Sequence, residues 1–342
     1  MNLIGRIVAA VLLLAAVGTV VTLAGGGAED GVGEGTEVTA AGGGGVRWQS
    51  SAQCIECHSE VAEEWQGSHH QISYSNPRVR ELSNDFRNKE CQSCHLPQPV
   101  AATGYGQRTL PRQSRFDEGV GCISCHLGTN GQILARNSRP DVACAPVADD
   151  SFLDSKMCSS CHNQHGTSDQ FFASSWAEDG GSCNDCHMPE TQRSHGGMGR
   201  GHVFHGCHDL ESLQSAARFD VKRDGDEIVI EVENNGAGHN FPTEERHRAV
   251  DIMVRVQDAE GGFTEWDRLW RFRQLYRDET SDDPPLPAGG STQLPSGETH
   301  VERLPIAAGV KRVEVRLWYR LNPFSVDGDE DSTLLFERAV DL

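Results

Sequence analysis

The sequence predicts an α+β protein of two domains, an irregular and mainly helical one followed by an immunoglobulin-like antiparallel β-sandwich. Three observations predict it. All twelve cysteines fall between Cys54 and Cys207. From about residue 216 cysteine vanishes, and apolar and polar residues alternate along the chain. Ahead of both regions, residues 25–47 are rich in Gly and Glu and almost lack large apolar groups. The expected organisation is a targeting segment at 1–24, a flexible linker at 25–47, the helical domain at 48–215 and the sandwich at 216–342. A length of 342 residues suits about two domains.

The chain opens with Asn2 and Arg6, then an almost unbroken apolar run from Ile7 to Ala24. That run is longer than a usual secretory core and close to the roughly 20 residues that span a bilayer. Thr22 and Ala24 suit cleavage beside small residues, so the run acts as a cleaved signal peptide or as a retained membrane anchor. Both readings export the protein to the periplasm or the extracytoplasmic face of the membrane. No cysteine follows the run closely, which argues against a lipoprotein anchor. The Gly-rich stretch behind it would be a tether.

Thirty-seven per cent apolar residues, with 37 glycines, is lean for two full cores. Something besides aliphatic side chains is expected to fill part of the interior. A formal charge of −20 argues against nucleic acid and anionic lipid as partners, since both would be repelled. The same acidity suits a soluble, cationic redox partner.

Twelve cysteines in an exported chain suggest disulfides, but their spacing says otherwise. Ten of them form five copies of C-x-x-C-H: Cys54/Cys57/His58, Cys91/Cys94/His95, Cys122/Cys125/His126, Cys158/Cys161/His162 and Cys183/Cys186/His187. Two cysteines three apart share one face of a helical turn, so both sulfurs can reach the two vinyl groups of one porphyrin. The histidine that follows then lies under the iron as its proximal ligand. One such motif could be a zinc knuckle or a redox dithiol; five, each ending in His, point to five covalently bound c-type haems. The motifs start 37, 31, 36 and 25 residues apart. So little chain per haem cannot wrap each porphyrin separately, so the haems must stand close together and supply buried apolar surface. Folding of this half should therefore depend on haem.

Ten further histidines, at 69, 70, 165, 195, 202, 205, 208, 239, 247 and 300, exceed the five sixth ligands required. Every iron can be bis-histidine, a saturated state that favours electron transfer over substrate binding. Met157, Met188 and Met198 are read as packing. His247 and His300, among charged neighbours, are read as solvent-facing.

The segments W-Q-G-S-H-H (65–70), E-G-V-G-C-I-S-C-H (118–126), C-S-S-C-H-N-Q-H-G (158–166) and G-H-V-F-H-G-C-H-D (201–209) resemble the multihaem cytochromes of the c-552/c-554 type. N-N-G-A-G-H-N-F-P-T (234–243) resembles a histidine-bearing loop where such haem domains meet a C-terminal β-domain. The likeness covers roughly 48–245. Position by position, it implies His70, His165, His202, His208 and His239 as distal ligands. His69 is the rival of His70, and His195 and His205 are rivals of His202 and His208. Where Cys207 stands, the family more often has glycine. In an oxidising compartment, Cys207 and the other remaining cysteine, Cys144, are expected to pair as a disulfide.

Pro97, Pro99 and Pro111, with Gly104 and Gly106, break up the chain between the second and third motifs, so short helices and long loops are expected there. After 216, E-I-V-I-E-V-E (227–233), V-D-I-M-V-R-V-Q-D (250–258) and V-E-V-R-L-W-Y-R-L (313–321) alternate with period two, and D-G-D, A-E-G-G and D-G-D-E supply turns. Such segments are half-buried strands, and several over this length suggest a sandwich. His239 falls on the loop after strand 227–233, so the sandwich would reach across and cap a haem. No nucleophile–base pair or phosphate loop is present in it.

The functional expectation is an exported pentahaem electron relay. Its partners would be redox proteins: other cytochromes, a quinol-linked donor or a terminal reductase. A multihaem reductase or oxidase of a small nitrogen or sulfur compound, with one open-site haem, is the first alternative. Pentahaem nitrite reductases fit poorly, since they bind their catalytic haem through C-x-x-C-K and all five motifs here end in His. A membrane-anchored quinol dehydrogenase is the second alternative, and a large β-domain is not typical of it.

Overall fold

Between Ala52 and Ala216 the chain runs as short helices joined by loops. The structure, a computed structural model, describes residues 48–243 and 246–342. The apolar run and the linker expected at 1–24 and 25–47 lie outside them. Among the described residues no helix exceeds eight residues, and none is long and apolar enough to cross a membrane.

Local chemistry sets where these helices begin and end. Pro77–Leu82 opens on a proline, whose missing N–H costs nothing there, and Asn76 accepts from the N–H groups of Arg78 and Val79. Asn88 caps Lys89–His95 through the N–H of Glu90. Ser59–Gln66 stops at Gly67. Two small ladders among the described residues before Ala216 were not anticipated: Leu134–Ala135 beside Val147–Ala148, and the hairpin of Glu190–Gln192 with Met198–Arg200. They are too short to show a period.

The remaining chain forms seven principal strands: β1 (Arg218–Asp224), β2 (Glu227–Glu233), β3 (Ala249–Gln257), β4 (Asp267–Arg273), β5 (Thr299–Pro305), β6 (Arg312–Arg320) and β7 (Ser332–Asp341). A three-stranded sheet runs in the order β5-β2-β1 and a four-stranded sheet in the order β7-β6-β3-β4, all antiparallel. Gly225, at φ 62°, makes the tight turn that pairs Asp224 with Glu227. Ile228, Ile230 and Val232 of one sheet and Val250, Ile252, Val315 and Leu317 of the other lie fully buried in one core. Burial of each such side chain contributes about 1.5–3 kcal/mol.

The three strands read from the alternation, β2, β3 and β6, are the inner ones. The four that the alternation did not single out are the sheet edges. Edge strands face water along one side and carry charge, as in D-R-L-W-R-F-R of β4 and T-H-V-E-R-L-P of β5, which obscures period two.

Several contacts join the helical half to the strand-rich half. Helix Leu210–Ala216 inserts Leu213 into it, and Gln214 donates from Nε2 to the carbonyl of Leu335 at 2.7 Å. On the loop between β2 and β3, the N–H of Asn240 donates to Gln170 Oε1 at 3.1 Å, and Thr243 and Thr167 share a 2.8 Å hydroxyl bond.

Candidate functional site

Each C-x-x-C-H segment folds as a single helical turn. Cys91/Cys94/His95 lies in Lys89–His95, and the third and fifth motifs form the five-residue helices Cys122–His126 and Cys183–His187. In the first and fourth motifs the N–H of His58 donates to the Cys54 carbonyl at 3.0 Å, and that of His162 to Cys158 at 2.9 Å. Both cysteines and the histidine of every motif are thereby displayed together.

The motifs are not equally sheltered. The side chain of Cys57, expected to bind haem, is exposed, whereas that of Cys54 in the same motif is half-buried. Helix Ala52–Ile55 ends before Cys57, which continues the coil only as a turn, its N–H donating to the Cys54 carbonyl at 3.2 Å. The adjoining His58 is exposed as well. Cys186 and His187 of the fifth motif are likewise exposed, while Cys125 and Cys161 of the third and fourth are half-buried. A haem held at the first or the fifth motif would therefore lie at the surface, with one attached edge toward solvent.

Backbone carbonyls orient five of the candidate imidazoles. Nδ1 of His95 lies 3.0 Å from Ser73 O, of His126 2.8 Å from Leu134 O, and of His187 2.5 Å from His205 O. Likewise Nδ1 of His202 lies 2.9 Å from Arg200 O, and that of His239 3.0 Å from Asn240 O. A carbonyl only accepts, so Nδ1 carries the proton and Nε2 presents its lone pair.

Three motif histidines face a histidine from elsewhere in the chain. His126 and His202 have ring centres 6.4 Å apart, His70 and His162 6.0 Å, and His187 and His239 6.2 Å, the last pair within 15° of parallel. Two imidazole nitrogens each about 2 Å from one metal set the ring centres roughly 6 Å apart. The three separations therefore fit an iron held from both sides. Burial, and next the facing His162, holds His70 down at about 3. Burial and then His126 hold His202 at about 4, and burial holds His239 at about 4. The neutral form that these environments impose is the one that binds iron.

Gly119 explains how His70 reaches this position. It adopts φ 49°, and a Cβ there would fall 2.5 Å from the His70 carbonyl and 2.3 Å from that of Gln71. Glycine alone lets the 118–126 segment approach, with Val120 N–H donating to His70 O at 2.8 Å and Trp65 Nε1 to Val120 O at 2.8 Å.

The other distal candidates behave differently. His208 stacks on His69 with ring centres 3.7 Å apart, too close for a metal between them. His165 sits in the turn between His162 and the helix Thr167–Phe172. His205 lies 3.9 Å from Asp209, and His195 is exposed beside Ser194. His300, expected to face solvent, instead stacks on Trp270 at 4.4 Å and bonds Glu302 at 2.7 Å, because β5 brings it against β4 across the edge of the core. His247 packs edge-on against Tyr276 at 5.5 Å. Met157 is buried, whereas Met198 is 57% exposed and packs little.

The expected Cys144–Cys207 disulfide is not formed; both are free thiols. The fold separates them: Cys207 packs against the β core beside Tyr319, and Cys144 lies within electrostatic reach of Cys54.

Three positioning groups escaped sequence reasoning. Glu64 accepts both nitrogens of Arg193, at 2.8 and 3.0 Å, and also the N–H of His202 at 2.9 Å. Nothing local in the chain links Glu64 to Arg193. Phe204, at φ 57°, stands with its ring 4.1 Å from His70 and 5.7 Å from His202. Finally, cysteines of different motifs meet. Cys54 lies beside Cys122, Cys158 beside Cys183 and Cys94 beside Cys161. The motifs thus form one contiguous cluster, whose thiols and imidazoles suit covalently held haem.

Comparison with known proteins agrees with this donor set. Residues 53–127 match the family model described as cytochrome c554 and c-prime. The fold is similar to the crystal structure of a penta-heme cytochrome c552 from Thermochromatium tepidum. The TM-score is 0.63 at 21% identity, covering 86% of this chain and 99% of that one. A superoxide reductase in the oxidized state aligns over 37% of this chain and 87% of its own at 10% identity, with a TM-score of 0.19 that carries no argument. No curated protein matches the chain. The family and fold matches together support a multihaem c-type cytochrome of this type, with covalently bound c-type haem, and suggest electron transfer.

Proposed function

We propose that the chain is an exported pentahaem cytochrome that relays electrons through closely packed bis-histidine haems. The observation that carries this reading is the facing of His126 with His202, His162 with His70, and His187 with His239 at 6.0–6.4 Å. Haem iron supplies one-electron exchange when bound. The chain's own residues would do the rest. The five cysteine pairs tether the porphyrins, and His58, His95, His126, His162 and His187 bind from the proximal side. The carbonyls of Ser73, Leu134 and His205 keep three of those rings in the ligating tautomer. A saturated iron needs little rearrangement on gaining or losing an electron, which suits a conduit. Redox proteins would be its partners, and export rests on the Ile7–Ala24 run, as cleaved signal or retained tether.

The strand order also favours the immunoglobulin-like reading of 216–342, since a three-stranded sheet β5-β2-β1 and a four-stranded sheet β7-β6-β3-β4 share one core. In this reading the C-terminal domain is part of the haem site, because its loop lends His239.

Stacking of His208 on His69 favours a second reading, in which one iron keeps an open position and the protein reduces or oxidises a small nitrogen or sulfur compound. Electron paramagnetic resonance separates the two. Only low-spin signals, with no binding of nitrite, cyanide or carbon monoxide, are expected of the relay. One high-spin, ligand-accessible haem would overturn it in favour of the enzyme.

A further inference from the structure

Two stretches of the chain are built alike. Ser51 stands three residues before Cys54, and Ser155 three before Cys158; each is 1% exposed. The Ser51 hydroxyl accepts the N–H of Cys122 at 3.0 Å, and the Ser155 hydroxyl that of Cys183 at 2.8 Å. Cys122 and Cys183 each open a five-residue C-x-x-C-H helix. Those helices close their first turns in parallel ways, the N–H of Gly121 donating to Ser124 Oγ at 3.2 Å and that of Ser182 to Asp185 Oδ2 at 2.8 Å.

The likeness continues downstream. Ser68 donates to the Trp65 carbonyl and Ser174 to the Phe171 carbonyl, both at 2.7 Å, and Trp65 and Phe171 are both buried. The first motif with the third, and the fourth with the fifth, are thus two copies of one arrangement, and the second motif stands outside it. In each copy a cysteine of one motif lies beside a cysteine of the other, Cys54 beside Cys122 and Cys158 beside Cys183.

The first N–H groups of a helix have no partner within it. Here that donor is taken by a serine from a different haem-bearing segment, and a hydroxyl on a single carbon has almost no slack. We propose that Ser51 and Ser155 are equivalent positioning residues, each setting the spacing of one haem pair: first with third, and fourth with fifth. This rests on the pentahaem reading. Orbital overlap between porphyrins falls steeply with separation, so slackening one such bond weakens electronic coupling in that pair while leaving attachment, which depends on the cysteines, intact.

The test is Ser51→Ala, Ser155→Ala and the double variant in the full-length, matured protein. Haem content is read by mass, and pair coupling by the bisignate circular dichroism of the Soret band. Each single variant is expected to keep all haems and lose part of the couplet, with the double variant losing about the sum of the two. Full haem content with an unchanged couplet in both single variants would overturn the serine assignment. Fewer than five haems in the unaltered protein would instead overturn the pentahaem reading. Should Ser51→Ala fail to mature, Gly121→Ala strains the same bond from its other side, since its Cβ would fall 2.5 Å from Ser51 Oγ. It is expected to depress the couplet, and an unchanged couplet there counts against the proposal.

Discussion

His187 of the fifth C-x-x-C-H helix and His239 of the β2–β3 loop hold their rings within 15° of parallel at 6.2 Å. The contact ties the cysteine-rich half to the strand-rich half. His239 is aimed by its Nδ1 bond to the Asn240 carbonyl, and Asn240 in turn is held by Gln170. Asn234 supports the loop from within, donating from Nδ2 to the His239 carbonyl at 2.7 Å.

Replacing His239 with Ala should make one haem high-spin while leaving haem stoichiometry unchanged, because attachment depends on cysteine. Optical and resonance spectra of the variant, together with its mass, check this. An unaltered spectrum would remove His239 from the ligand set.

Phe204 stands between two candidate distal ligands that serve different motifs, His70 facing His162 and His202 facing His126. A bulky residue at φ 57° is uncommon and held by its packing. Phe204→Ala should release both rings and broaden the low-spin signals of two haems, leaving the others sharp. A change in all signals, or in none, would contradict this placement.

Asp251, 1% exposed, receives Arg271 Nε at 2.6 Å and Nη2 at 2.7 Å, and Arg320 Nε at 2.6 Å. Asp251→Asn removes one of the two countercharges of Arg320, which is itself 3% exposed at its side chain and keeps Asp327. Removing one partner of a buried ion pair costs about 3–5 kcal/mol. Thermal unfolding should move down accordingly, with haem spectra at room temperature unchanged, since the network lies away from the histidine pairs.

Glu314 reports on acid stability. Burial pushes its carboxyl up, but Arg255, at 2.6 and 2.8 Å, and Arg312, at 2.9 Å, outweigh that and hold it below the ordinary carboxylate range. A depressed folded-state value means that its contribution is present above the ordinary value and lost as pH falls through the folded one. Glu314→Gln should therefore destabilise near neutrality, by about 1–3 kcal/mol, and flatten the loss of stability below about pH 4.5. Unfolding midpoints measured across that range test the slope.

The sequence by itself determined what depends on covalent spacing and on burial. Cysteines three apart followed by histidine define their own helical turn, so all five motifs could be read directly. The inner strands β2, β3 and β6 were equally plain, because a strand buried in the middle of a sheet must alternate. Tertiary structure decided what depends on partners distant along the chain. It selected which histidines face each other, stacked His208 on His69, kept Cys144 from Cys207, left Cys57 exposed while half-burying Cys54, and joined Glu64 to Arg193. It also revealed the serine contacts that duplicate one pairing of motifs. A hydroxyl, a ring or a free thiol carries no local pattern that names its partner. Only folding brings those groups within the few ångströms over which they act.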